Sequence, residues 1–357
     1  MVRTMIEING SRGEGGGQIL RTSIALSALT MRPVRVRDIR AKRPKPGLKK
    51  QHMTGIDVVA QLVNAKVKGL EIGSTQIEFI PRERRGGQFS SDIGTAGSIS
   101  LVLQAALPTA SLAPDPIRLT LTGGTDVAWS PPIDYMRAVF AHTLQKMGPR
   151  VELATRKRGH FPRGGGKVSC SVNPVEKVRP LELVQFDDLK EVRGVSHCVR
   201  LPSHVAERQA DTAVSVLQEN GIEQAVIERE SYRKNEDRHL GAGSGIVIWA
   251  ESNKGARLGA DSLGERGKPA EDVGSECAHQ LLAELSTGFA VDSHLCDMLV
   301  PYLALADGLS TIGITKVTSH LQTNLWAAQR VLDVEVSLEG ELEGPGRLTI
   351  KGAGLSS

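Results

Sequence analysis

Nine residues near the start of the chain, 13–21 (GEGGGQILR), hold four glycines, one carboxylate and one guanidinium. That mixture suits a phosphate. Glycines admit left-handed backbone angles and close ligand approach, a helix start beyond them offers unpaired N–H groups, and an arginine one turn inside forks onto phosphate oxygens. Here Arg21 is that arginine. The string matches neither standard nucleotide loop, because no lysine follows the glycines and the GxGxxG spacing fails at Gln18. A glycine-rich turn serving only close packing is the competing reading.

A second candidate lies far along the chain. His320 falls in TSHLQ, between a strand pattern over 312–317 and a helix pattern from 323, so it is expected in a loop at a strand end, where binding residues gather. A surface or capping role is the ordinary alternative for such a histidine, and His52 and His294 are its rivals as nucleophile or base. Asp292 and Asp297, with Glu14, are the carboxylates that could hold a divalent ion or orient a nucleotide. Helix capping alone would account for Asp292. The sequence has no His–Cys set at zinc-site spacing and no GxSxG elbow.

These residues need a scaffold, and the periodicity supplies one. Residues 5–8 alternate as a strand, and Ile19, Leu20, Ile24, Ala25 and Leu26 recur at helical spacing. After a helix ending near Thr30 come a strand at Val34, Val36 and Ile39, a loop with Arg40, Lys42 and Arg43, a helix over 49–63, and two strands (65–70, 76–81). The same order recurs from residue 93: a glycine-led apolar helix, a strand in IRLTLTGGT, the loop TDVAWSPP, a helix over 133–147, and strands over 151–155 and 166–172. It recurs again from residue 291, ending in strands over 333–338 and 346–351. Three copies imply an internal pseudo-threefold repeat, in which the Arg40, Trp129 and His320 loops converge on one cleft. Between copies two and three, residues 184–284 read as a small α/β domain whose stretch 231–245 is expected to be a mobile loop. The expected fold class is therefore α/β (α+β): a main domain of three repeated units (1–183 and 285–357) and a smaller inserted α/β domain (184–284).

Composition narrows the function classes. In 357 residues the hydrophobic share is 40% and the charged share 24%, as in globular proteins, and no apolar run approaches the roughly 18 residues of a membrane span. The N-terminal MVRTMIEING lacks a signal-peptide core, so a cytoplasmic protein is expected, without membrane partners. Four cysteines at 170, 198, 277 and 296 form no CxxC pair and read as reduced thiols. The net charge of +4 is modest, but residues 32–50 carry nine Lys or Arg against Asp38 alone. Arg150, Arg156, Lys157, Arg158, Arg163 and Lys167 make a second basic run. Both suit a polyanion, while 3% aromatic content argues against a base-stacking platform.

Taken together, GEGGGQILR, RAKRPKPGLKKQH (40–52), GTAGSISLVLQ (94–104), TGGTD with SPP (130–132), HFPRGGG (160–166) and SHLQTN (319–324) closely resemble the RNA 3'-terminal phosphate cyclase family over nearly the whole chain. The resemblance implies three repeated α/β units with one insertion, in agreement with the pattern above. It also implies ATP-dependent conversion of an RNA 3'-phosphate end to a 2',3'-cyclic phosphodiester, releasing AMP and pyrophosphate. His320 would be the nucleophile, forming histidyl-AMP. Glu14 would hold a divalent metal, Mg or Mn. Arg21, Arg40, Arg43, Gln51 and His52 match positions near the phosphates and the RNA end, while Gln18, Gln104, Pro131, His294, Asp297 and Met298 match the ATP/AMP site. Two departures stand out: Met298 replaces a glutamine common in the family, and Leu263 replaces an aromatic of bacterial members that covers adenine. They imply a looser pocket. The rivals are a non-catalytic cyclase-like RNA-binding ribosome-assembly factor, which lacks the nucleophile, and an enolpyruvyl transferase, which needs no adenylylated histidine. The oligomeric state is left open.

Overall fold

Helix α1 (Gly17–Thr30) is apolar almost all round, and ten of its residues are buried. A helix without a polar stripe must be covered on all sides, and burying Ile24, Leu26 and Leu29 stabilises the fold by roughly 1.5–3 kcal/mol each. In the computed structural model, which describes residues 4–13 and 15–357, this helix is central. α1 runs between β1 (Ile6–Asn9) and β2 (Val34–Arg37), and is followed by α2 (Lys50–Leu62), β3 (Lys66–Lys68) and β4 (Ile77–Ile80). Next come β5 (Gly87–Asp92), α3 (Ile99–Ala110) and β6 (Ile117–Gly123). A continuous helical rod then joins α4 (Ile133–Tyr135), a π turn (Met136–Phe140) and α5 (Ala141–Lys146), before β7 (Arg150–Lys157) and β8 (Gly166–Asn173).

β9 (Glu182–Leu183) leads into β10 (Leu189–Val199), α6 (His204–Glu219), β11 (Ala225–Glu230), β12 (Gly243–Ser252), β13 (Arg257–Leu263) and α7 (Ala270–Ser286). The chain closes with α8 (Ser293–Leu305), β14 (Leu309–Ile314), α9 (Ser319–Leu332), β15 (Glu335–Gly340) and β16 (Gly346–Lys351). The fold is mixed α/β, with four four-stranded sheets among the described residues, ordered β1-β2-β4-β3, β5-β6-β8-β7, β9-β14-β16-β15 and β11-β10-β12-β13. In each of the first three, one parallel pair is followed by two antiparallel pairs. Alternation such as the buried Val34 and Val36 in VRVR turns one face of each strand inward. The helices α1, α3 and α9 pack together behind these sheets. A separate apolar cluster, including Val192, Leu217, Ile248 and Leu281, unites α6 and α7 with the fourth sheet.

Several expectations need correction. Ile39 lies beyond β2, because Asp38 and Arg40 take left-handed angles (φ 54° and 55°) that end the strand. β5 escaped the periodicity because its GQFSSD sequence is largely exposed at a sheet edge, and β9 is too short to show a period. The helix expected over 133–147 contains the π turn, and Arg257 Nη1 donates to the Ala138 carbonyl within it at 2.6 Å. The last repeat's helix starts at Ser293, and α9 starts at Ser319, so His320 belongs to a helix's first turn and not to a loop. Arg158 is 2% exposed and therefore leaves the second basic run. All four cysteines are free and buried. Among the described residues no helix is long and apolar enough to cross a membrane.

Candidate functional site

The glycine string behaves as its composition suggests. Gly13 and Gly15 take φ of 61° and 60°, and Gly16 caps α1 without any side-chain hydrogen bond, so the first amides of the helix point outward. Glu14 lies outside the described residues. Two arginines, a lysine and a histidine crowd this helix start. A Cβ on Gly16 would stand 3.1 Å from Arg43 Nη2, and one on Gly17 would stand 2.4 Å from His52 Nε2 and 3.2 Å from Arg21 Nη1. Lys42 Nζ donates to the Gly13 carbonyl at 2.8 Å.

His52, the third residue of α2, is buried. Burial, with Arg21, Arg40 and Lys49 around it, pulls its pKa down to about 3, so the ring is neutral at pH 7. The Lys49 N–H donates to His52 Nδ1 at 3.2 Å, which places the ring proton on Nε2 and directs an N–H toward Gly17. Arg21 is pulled down to about 10 by burial, against the pull of the Asp297 carboxylate, and stays charged. Its Nη2 donates to Gln18 Oε1, while its buried Nε has no partner among the described residues. Neutral donor, guanidinium and helix amides thus face one point, an arrangement that accepts an anion.

Several of the other predicted residues are engaged in contacts within the fold. Arg40 is buried and its Nη1 donates to the carbonyls of Lys45 (2.7 Å) and Gly47 (2.9 Å), bracing the loop before α2. Gln51 Oε1 accepts from the Ser98 N–H at 3.2 Å, tying α2 to the start of α3. Gln104 is half-buried on α3, and Pro131 lies between β6 and α4. Met298 is buried on α8 and belongs to the apolar core. His294 is exposed in the first turn of α8, with the Tyr135 ring edge-on at 6.0 Å. Asp292 is occupied structurally, accepting from the Leu295 N–H (2.9 Å), the Gly259 N–H (3.0 Å) and the Tyr135 hydroxyl (2.5 Å).

At the opposite wall stand His320 and Asp297. His320 Nδ1 is 3.8 Å from Asp297 Oδ2, and the His320 side chain is 45% exposed. Thr318 caps α9 through the Leu321 N–H (2.9 Å) and also donates its hydroxyl to Asp297 Oδ1 at 2.9 Å. Asn324 donates to the Asp297 carbonyl (3.0 Å) and accepts from the Thr22 hydroxyl (2.6 Å), which ties α8, α9 and α1 together. Thr323 lies one turn from His320 on the same face, and a Cβ on Gly13 would stand 2.3 Å from its hydroxyl. The wall that carries His320 therefore meets the glycine loop where Thr323 approaches Gly13.

This pairing of a polar histidine with an anion-accepting helix start agrees with the wider similarity of the chain. Residues 12–338 match the family model described as RNA 3'-terminal phosphate cyclase. The chain belongs to that family. Relatives named RNA 3'-terminal phosphate cyclase include proteins of Methanopyrus kandleri (51% identical, covering 98% of this chain and 100% of the relative) and Ignicoccus hospitalis (51%, 98% and 99%). A third, from Pyrobaculum aerophilum, is 50% identical over 98% of each chain. The sequence places Thr323 and Asn324 beside His320 without giving them a role, and it misses Thr318. The signal for Thr318 is a threonine at a helix start, which reads as capping until Asp297 is brought alongside.

The sequence also misses two carboxyls near His294. Burial, with nearby carboxylates adding to it, pushes Asp261 up to about 6 and Glu284 up to about 7. No sequence spacing announces either.

Proposed function

We propose that the protein converts the 3'-phosphate end of RNA to a 2',3'-cyclic phosphodiester, using ATP and a histidyl-AMP intermediate. The observation that carries this reading is the half-exposed His320 held opposite the α1 start, with Asp297 beside its Nδ1 and within Coulomb range of Arg21. Asp297 favours a proton on Nδ1, which leaves the nucleophilic lone pair on Nε2. Nε2 attacks the α-phosphorus of ATP; an N–P bond forms, and the P–O bond to pyrophosphate breaks. The adenylyl group passes to an oxygen of the RNA 3'-phosphate as the N–P bond breaks. The vicinal 2'-hydroxyl then attacks that phosphorus, loses its proton, and AMP departs.

Arg21, Arg43, His52 and the α1 amides would bind the phosphate oxygens, with Arg40 and Gln51 holding the loop and helix that carry them. Gln18, Gln104, Pro131, His294 and Met298 would border the nucleotide. A divalent ion, Mg or Mn, held by Glu14 would neutralise the leaving pyrophosphate. The division into a main domain (1–183, 285–357) and an inserted domain (184–284) belongs to the same proposal, as does a cytoplasmic location.

The test is incubation of wild type and His320→Ala with α-labelled ATP and a divalent metal, followed by denaturation at neutral or alkaline pH. Label on wild type alone is the expected result. Equal label on both proteins means another nucleophile, and no label on either with nucleotide binding intact favours a non-catalytic RNA-binding role.

A further inference from the structure

Away from this cleft, three side chains from distant parts of the sequence meet in the interior. Asp126 follows β6, His160 lies in the turn between β7 and β8, and His197 is on β10. They are 2%, 5% and 1% exposed. Their ligand atoms all lie within 4.8 Å of one another, with His160 Nε2 3.2 Å from His197 Nε2 and Asp126 Oδ2 3.9 Å from His197 Nε2. We propose that Asp126, His160 and His197 form a zinc-class metal site joining the β6–α4 loop to the β11-β10-β12-β13 sheet.

Geometry is the first argument. Metal–ligand bonds of about 2.0–2.1 Å in a tetrahedral site put neighbouring ligand atoms about 3.3 Å apart. The two imidazole nitrogens already have that separation, closing the Asp126–His197 edge from 3.9 Å needs a shift of roughly half an ångström, and the Asp126–His160 edge starts within 4.8 Å. Two nitrogens and one oxygen suit zinc, where magnesium and calcium take oxygen sets.

Charge is the second argument. Three carboxylates, Asp126, Asp134 and Glu230, surround one buried guanidinium, Arg158. Its short contacts go to Asp134 (2.7 Å) and Glu230 (2.6 Å), and its approach to Asp126 is long at 3.3 Å. The half-exposed Arg137 reaches only Asp134, at 2.8 Å. Asp126 thus shares its cation, Arg158, with two carboxylates that bind it more closely, and a dication would offset the excess negative charge. Among the described residues His197 Nδ1 has no hydrogen-bond partner, and the ring's one polar side-chain contact within hydrogen-bond distance is the Nε2–Nε2 approach to His160, which a shared metal ion would replace.

The site shares no residue with the His320 cleft, and its test is independent of that reaction. The full chain, without nucleotide, is titrated with Co²⁺ as a spectroscopic probe. The expected result is one equivalent giving the visible absorption of four-coordinate cobalt, displaced by one equivalent of Zn²⁺. His160→Gln and His197→Gln should abolish the band, Asp126→Asn should weaken cobalt affinity at least about tenfold, and His279→Ala, at an exposed histidine, should keep it. Circular dichroism confirms that each variant is folded. No stoichiometric band in wild type overturns the proposal whatever the variants do. So does a band that survives in folded His160→Gln and His197→Gln.

Discussion

His52 Nε2 lies so close over Gly17 that a Cβ there would stand 2.4 Å from it. The missing side chain is what allows the ring N–H to reach the start of α1. In Gly17→Ala the imidazole must move by about an ångström, a displacement that can cost on the order of a hundredfold in rate. The expected outcome is a loss of at least about tenfold in kcat/KM for cyclisation of a 3'-phosphorylated oligonucleotide, with the melting temperature little changed. Full activity in Gly17→Ala would remove His52 from the phosphate site.

Asp297 acts through His320 in the proposed reaction. Asp297→Asn keeps the shape and the acceptor for Thr318 but loses the charge beside Nδ1. Self-adenylylation should slow by roughly 10²-fold or more, while ATP affinity changes little. A burst of labelled AMP measured by rapid quench separates the two quantities. An unchanged burst rate would mean that Asp297 has only a structural part.

His52 also makes a pH signature. Its pKa falls from 6.5 to about 3 on folding, so between these values the unfolded chain binds the extra proton and stability drops as pH falls. His52→Gln removes this dependence. Between pH 6.5 and 5 the wild type should lose about 2 kcal/mol more than the variant, read from urea unfolding at the two pH values. Parallel losses in the two proteins would show that His52 is protonated in the fold.

Arg158 is the cation of a buried network rather than a surface contact. Arg158→Met leaves Asp126 and Asp134 buried without it, and should destabilise the protein by about 3–5 kcal/mol. Chemical denaturation measures this directly. A loss under about 1 kcal/mol, the level of exposed ion pairs, would show that the buried carboxylates take up protons instead.

The local elements were legible from the chain alone because their signals are short-range. Helical spacing after Gly17 and alternation in VRVR depend on residues a few positions apart, and the glycine string announces its turn by composition. The order of helices and strands followed, apart from the exposed strand β5 and the two-residue β9. Position along the sequence was a poorer guide at the ends of elements. The strand-to-helix pattern puts His320 in a loop, whereas it is the second residue of α9 because Thr318 caps the helix three residues before Leu321.

What only the tertiary structure decided is which charges meet and which face water. Arg158 and Arg156 are two residues apart in one basic run, yet one is buried on three carboxylates and the other stays outside. Arg40 Nη1 holds two carbonyls of its own loop, a contact that no spacing in the sequence announces. Asp126, His160 and His197 share no spacing that a motif could record. Propensity and periodicity are properties of neighbours along the chain, whereas desolvation and Coulomb energy depend on neighbours in space, and those are set only when the sheets and helices close on one another.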